Sequence, residues 1–398
     1  MRLPKRLFRA CVLLYLAATV TLADDLSDGI SKVRALHHQA RYADAAELAT
    51  TLAATHPDSA LPHAWLSLAQ NASGEAEAAM GAANRAIELE RSLPLPWMLR
   101  GAIHHASGHN DQAVAAWKQC LLLCGQAVQA NEEVAEAYWV AGIVQRLAGD
   151  AEKSLSNLTK ALGADPALVE AWLERAGVLR ATDRIDEAVA DYSKAIELDP
   201  QCVTALTARG DIALARGELQ SALQDYTDAL ATNNQHVAAW LNRAKALQAS
   251  GRIDEAIDDH RAVIALRPHS VDAWLYNARA LIVAGRLEEA LADLTQAVTL
   301  DDQRFDAWLL RAKTTLRLRD GETAISDATR ALEIYADSAD ALVTRGLGYT
   351  ELEEFAQAEA DFDSAIRLDA ENPEIYYARA RMHYERDDLV SIFGWEMA

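Results

Sequence analysis

Apolar residues recur along this chain at helical spacing, in paired short runs separated by polar breaks. Between Val169 and Pro200, Trp172, Ala176 and Leu179 fall at i, i+4 and i+7 and share one face of a first helix. After the break Thr182-Asp183-Arg184, residues Ala188, Tyr192 and Ala195 do the same on a second helix. Ala176 and Ala188 are small enough to let two backbones approach, while Trp172 and Tyr192 fill the space around that contact. Neither helix can bury its stripe alone. The pattern returns every 34 residues, so the expected fold is all-α, a solenoid of helix-turn-helix units that bury one another's faces.

Counting each unit so that Trp172 is position 4, that position reads Trp97, Tyr138, Trp172, Leu206, Trp240, Trp274, Trp308, Leu342 and Tyr376. Position 8 is Gly101, Gly142, Ala176, Gly210, Ala244, Ala278, Ala312, Gly346 and Ala380, and position 20 is Ala113, Ser154, Ala188, Ala222, Ala256, Ala290, Ala324 and Ala358. A helix-stopping proline stands at position 32 as Pro57, Pro166, Pro200 and Pro268. In these positions the chain resembles the tetratricopeptide repeat family. The resemblance implies a right-handed α-solenoid whose groove holds peptides or protein surfaces.

Residues 1–23 read as an export signal. Arg2, Lys5, Arg6 and Arg9 precede the apolar run Ala10 to Ala23, and Thr21-Leu22-Ala23 offers small residues for cleavage before Asp24. An uncleaved membrane anchor is the alternative, against which the run is short, since a span needs about 20 residues. Repeats begin at Leu26, and the first two (Tyr42, Ala45, Ala49 and Pro57; then Trp65, Ala69 and Ala86) are degenerate, the second with a first helix expected to be about two residues short. Trp97 to Tyr138 spans 41 residues, so seven have been added around Cys120 to Asn131. Seven residues are close to two helical turns, so the insertion either lengthens the second helix or forms a loop at Gly125. Stacking is expected to bend there, dividing residues 24–133 from seven regular repeats over 134–372. The remainder, 373–398, reads as an incomplete repeat whose Leu389, Ile392, Phe393 and Trp395 either cap the stack or pair with another copy.

Charge and candidate chemistry narrow the function. The formal net charge is −21, which disfavours nucleic acid and favours a basic partner or a local basic patch. Arg recurs at position 7 (Arg175, Arg209, Arg243, Arg311, Arg345 and Arg379, broken by Asn277) and Asp at position 23 (Asp191, Asp225, Asp259, Asp293, Asp327 and Asp361). A catalytic carboxylate needs one tuned environment, so a repeated pair argues for an inter-helix ladder instead. Cys120, Cys124 and Cys202 read as buried thiols: the C-x-x-x-C spacing of Cys120 and Cys124 is wider than the loop spacing of zinc sites, and among His104, His105 and His109 the first already occupies core position 11. No enzyme, cofactor, metal or small-molecule substrate is expected.

The family resemblance places positions 2, 5, 9, 12 and 13 of each first helix in the groove. Position 9 then supplies a basic row of Lys245, Arg279, Lys313 and Arg381. Position 5 supplies an apolar row that includes Trp139, Leu173, Leu241, Leu275, Leu309, Val343 and Tyr377. Position 2 supplies the acids Glu136, Glu170, Asp272, Asp306, Asp340 and Glu374. Such rows suit an extended peptide, with charge fixing its direction, although the basic row could equally be solvated surface balancing the acids. Trp139 is the sharpest candidate, an aromatic outside the core register and so expected at the groove surface, unless the seven-residue insertion folds over it. The expectation is an exported scaffold for an envelope or secretion component. A holdase for client segments and a homo-oligomer joined through the C-terminal tail are the alternatives.

Overall fold

The computed structural model describes residues 25–386, so the expected leader and the apolar C-terminal residues Leu389 to Trp395 lie outside the described residues. Among those described are 21 helices and no strand, as the period predicts. The chain forms two compact units, Met1–Ala239 and Trp240–Ala398. The seven-residue insertion, where a bend was expected, lies inside the first.

A typical repeat pairs a 13-residue helix, Val169–Ala181, with a 14-residue one, Ile185–Leu198. The turn between them needs a residue in the left-handed region. Gly149 takes φ 82°, its N–H donating to Arg146 O at 3.0 Å while Asp150 N–H donates to Gln145 O at 2.8 Å, which satisfies two carbonyls of the ending helix. Position 4 ties one repeat to the previous one: the Trp172, Trp274 and Trp308 indoles donate to the carbonyls of Pro166, Pro268 and Asp302 at 2.9, 2.9 and 3.0 Å.

The Arg and Asp series forms the ladder, and it is more buried than exposed surface pairs would be. Arg311 grips Asp327 with two bonds of 2.7 and 2.6 Å, and its guanidinium lies 4.7 Å from the centroid of the Trp308 ring. Arg175, Arg209, Arg243 and Arg345 hold Asp191, Asp225, Asp259 and Asp361 in the same bidentate way. Asn277 breaks the series for a reason visible one repeat earlier. Position 25, usually Thr or Ser, is there Arg261, which reaches Glu289 at 2.9 Å and whose charge acts on Asp293. A second arginine at position 277 would meet it. The Asn277 amide donates to Asp293 instead, at 2.6 Å.

Two early expectations are resolved by helix boundaries. The helix Asn110–Ala130 runs 21 residues, seven more than its counterparts, so the insertion is two added turns rather than a loop at Gly125. The first helix of the second repeat is not short: Ala60–Ala72 has the full 13 residues, and it is Trp65 that stands two positions late. Ser67 holds the small position, its Oγ donating to Ala79 O at 2.8 Å across the helix pair. Cys120, Cys124 and Cys202 are buried and unpaired, as read from the sequence.

Glycine at position 8 is matched to bulk at position 24. A Cβ built on Gly101 would stand 2.3 Å from Trp117 ring atoms. Gly101→Ala is therefore expected to lose stability, overpacking costing about 1–3 kcal/mol against a helix-propensity gain of about 1. Gly81→Ala, on an exposed helix face with no atom within 4 Å of the new methyl, is expected to gain up to about 1 kcal/mol. Urea denaturation of both variants checks the pair, and a lower midpoint for Gly81→Ala would contradict the packing argument.

Candidate functional site

Within each unit the first helices lie on the inner side. Ala60–Ala72 touches Pro94–Ala106, which touches Val134–Leu147, which touches Val169–Ala181, and Phe305–Arg317, Ala339–Glu351 and Pro373–Glu385 follow the same rule in the second unit. Second helices of neighbouring repeats make no comparable contact among the described residues. First helices are thus the more closely spaced row, which makes theirs the concave face.

In the first unit this face is filled by the chain itself. The helix over residues 25–38 is the first helix of the first repeat, and its inner positions meet those of repeats far along the chain. Arg34 donates from Nε and Nη2 to both oxygens of Glu170, at 2.6 and 2.7 Å, across 136 residues. One turn on, His38 Nδ1 lies 3.1 Å from Asp199 Oδ2 and Nε2 lies 3.4 Å from Glu170 Oε1. The helix end is held too: Gln39 donates to Gln201 Oε1 at 2.9 Å, and the Asn233 amide donates to the carbonyls of Gln39 and Ala40 at 3.0 and 3.3 Å.

The electrostatics of this clasp follow from burial opposed by pairing. Burial alone would discharge His38, but its contacts with Asp199 and Glu170 outweigh that and hold the imidazole up to about 9. Burial would likewise push Glu170 upward, yet His38 and Arg34 hold it well below the usual carboxylate range. The adjacent His37 has no such partners, and burial drives it down to about 4, so it is neutral at pH 7. Two charged groups and one neutral imidazole therefore stand side by side on one helix.

The expected site residues divide among these settings. Trp139 is not a surface aromatic: it is only 5% exposed and shares the walls of a cavity with Ile30, Arg34, Trp65 and Leu95 beneath the first helix. Leu275 is likewise core, 2% exposed among Ala278, Leu294 and Ala297. Leu173 packs half-buried beside Trp172, and Leu241 and Leu309 are half-buried. Tyr377 is 75% exposed, and Tyr384, seven residues on along the same helix face, is 65% exposed.

The basic row is largely engaged with acids. Arg279 reaches Asp306 at 3.6 Å and Lys313 bonds Asp340, each linking position 9 to position 2 of the next repeat. Arg381 pairs with Glu385 at 2.8 Å on its own helix, while the Lys245 ammonium donates to Asn242 Oδ1 at 3.1 Å. These pairs are exposed and worth little individually. The rows read from the sequence as separate stripes are, at these two links, one set of inter-repeat pairs.

Arg34, His38, Asp199 and Asn233 were not singled out by sequence reasoning. The signal that pointed toward them was the pair of tryptophans off the core register, Trp65 and Trp139. Both face the same cavity under the first helix, and Arg34 lies 5.6 Å from the centroid of the Trp65 ring.

Family models described as tetratricopeptide repeat match residues 145–202, 213–258, 247–314 and 343–391. No curated protein matches the chain. Among solved structures the chain is similar to a tetratricopeptide repeat protein from Parabacteroides merdae, at 20% identity with 65% of this chain and 99% of that chain covered and a TM-score of 0.41. It is similar to YrrB, described as a TPR protein with an unusual peptide-binding site, at 22% identity with 46% and 95% covered and a TM-score of 0.42. Yeast Tom70 aligns over 92% of this chain and 96% of its own at 12% identity, with a TM-score of 0.38.

Proposed function

This chain is a tetratricopeptide repeat protein, and from that premise we propose that it is a noncatalytic scaffold holding a segment of a partner protein on the inner face of its second unit. The observation that carries the reading is the exposure of large side chains at groove positions there: Val283 at 71%, Tyr377 at 75% and Tyr384 at 65%. Tyrosine supplies contact area at low entropy cost and is enriched among interface hot spots. Arg381 stands between the two tyrosines on the same helix and can orient an acidic group of the partner once its exposed pair with Glu385 opens. The basic, apolar leader supports action outside the cytoplasm, in assembly of an envelope or secretion component.

The test is a pull-down from the native envelope fraction with the wild-type chain, Tyr377→Ala/Tyr384→Ala, and Lys245→Glu. The tyrosine double variant is expected to lose the partner, a drop in affinity of tenfold or more at about 2 kcal/mol per hot spot, with helicity unchanged. Lys245→Glu, four repeats from the tyrosines, is expected to change binding much less. Retention of the same partner set by the double variant would move the site elsewhere, and self-association detected by light scattering would favour the homo-oligomer instead.

A further inference from the structure

The contact that closes the first unit differs in kind from those that stack its repeats. Neighbouring repeats meet through apolar side chains such as Ala176, Leu179, Tyr192 and Ala205. Residues 34–40 meet Glu170 on the inner face and Asp199, Gln201 and Asn233 at the ends of the second helices beside it, through an arginine, a histidine, two glutamines and a side-chain amide, a polar interface more like a docked ligand than a repeat core. The surface they meet is acidic over two repeats. Glu170 and Asp199 touch the cations directly, and Glu136 and Asp165 add their fields at Arg34. Ile30, Arg34 and His38 stand four residues apart on one stripe of the helix, which carries the apolar residue and the two cations of the contact, while Gln39 and Ala40 hold the helix end.

The fit is incomplete. A cavity of about 180 Å³ remains beside Ile30 and Arg34, walled by Trp65, Leu95, Trp139 and Val140. Trp139, one of its walls, has its indole Nε1 buried without a hydrogen-bond partner among the described residues, a condition native interiors rarely leave in place. A side chain larger than isoleucine, carrying a hydrogen-bond acceptor or lying close to one, would both fill the space and satisfy that donor.

We propose that the inner face of the first unit is a receptor for a basic amphipathic helix, and that residues 25–40 occupy it in cis as an autoinhibitory stand-in. The partner recognised is a protein helix presenting a bulky apolar residue, an arginine and a second cation at i, i+4 and i+8. The apolar residue enters the cavity beside Trp139, the arginine takes Glu170, and the second cation lies between Glu170 and Asp199. Because Gly29 packs on Leu52 of the second helix, the first repeat leaves as a hairpin, residues 25–55 moving together. The cis segment holds an effective-concentration advantage, so the trans helix wins only when its own contacts exceed those of Ile30, Arg34 and His38.

The probe is a fluorescent synthetic peptide of this chain's residues 25–42, and the same peptide carrying Ile30→Tyr, whose hydroxyl oxygen is able to accept from the Trp139 indole. Both are titrated into the full-length wild-type chain, into Arg34→Ala/His38→Ala, and into Gln39→Cys/Gln201→Cys with its new thiols joined by a short bismaleimide. Hydrogen exchange follows residues 25–55 in each protein. Expected are binding to the Arg34→Ala/His38→Ala chain at least tenfold tighter than to wild type, tighter binding again by the tyrosine peptide, and none to the tethered chain. A peptide with Arg34→Glu is expected to fail throughout. The proposal is overturned if the Arg34→Ala/His38→Ala chain releases residues 25–55 yet binds neither peptide. It is overturned equally if that segment stays protected as in wild type, or if the tethered chain binds as well as the untethered one. The tethered protein keeps every native contact outside the two cysteines, so its result stands even where the alanine variant folds poorly.

Discussion

Glu170→Ala releases the first repeat from the inner face while leaving the rest of the chain folded. Its carboxylate is 6% exposed and answers both Arg34 and His38, so its removal strands one buried cation and weakens a second. Removing one partner of a buried pair costs about 3–5 kcal/mol, and the lower end applies because the Arg34 side chain remains 32% exposed and can rehydrate. Three kcal/mol corresponds to roughly a hundredfold loss of hydrogen-exchange protection, confined to residues 25–55. Glu170→Gln, which keeps the shape and an acceptor, is expected to lose less. Unchanged protection in Glu170→Ala would mean that apolar packing of Val33 and Ile30 holds the repeat without the ion pair.

The same cluster sets a pH dependence whose sign is determined by two opposite shifts. His38 is raised from its ordinary 6.5 to about 9, so its contribution is fully present below pH 6.5 and is lost as pH rises through about 9. Glu170 is lowered, so its contribution is present above about pH 4.5 and is lost only in strong acid. Protection of residues 25–55 is thus expected to be greatest between these limits and to decline from neutral pH toward pH 9. His38→Gln removes the alkaline decline.

Arg311→Asn has the second large expected effect. Asp327 is 1% exposed and is held by two bonds from Arg311, so the substitution leaves one donor where there were two and removes the cation over Trp308. A loss of about 3 kcal/mol is expected for the repeat at residues 305–338. The chain shows how the loss is offset at Asn277, where position 25 of the preceding repeat carries Arg261. The equivalent residue for Arg311 is Thr295, exposed on its helix. Adding Thr295→Arg to Arg311→Asn is therefore expected to recover about half of the lost protection, a non-additivity that independent sites would not show. Recovery near zero would sever the link between Arg261 and the exception at Asn277.

These two cases mark where legibility in the sequence ends. The ladder could be read from spacing because positions 7 and 23 are 16 residues apart in one hairpin, and a contact so local repeats whenever the residues do. The matching of Gly101 to Trp117 is legible for the same reason. Trp139 was misplaced because its position number was read correctly while its surroundings were not: position 5 faces inward, and inward is solvent only where nothing lies opposite. Leu275 shows the same limit: it is packed among Ala278, Leu294 and Ala297, while the same position at Leu241 and Leu309 is half-buried, a difference the position number does not carry.

The order of residues alone settled the period, the all-helical repeat and the pairing inside each hairpin, because all of these are satisfied within one unit and its neighbour. The closure of Arg34 and His38 onto Glu170 and Asp199 belongs to the accumulated geometry. Each repeat adds a small rotation to the last, and over the four junctions before Glu170, one of them lengthened by two turns in Asn110–Ala130, those rotations sum to bring the first inner face against the fifth. No single junction encodes that meeting, so no local pattern could announce it.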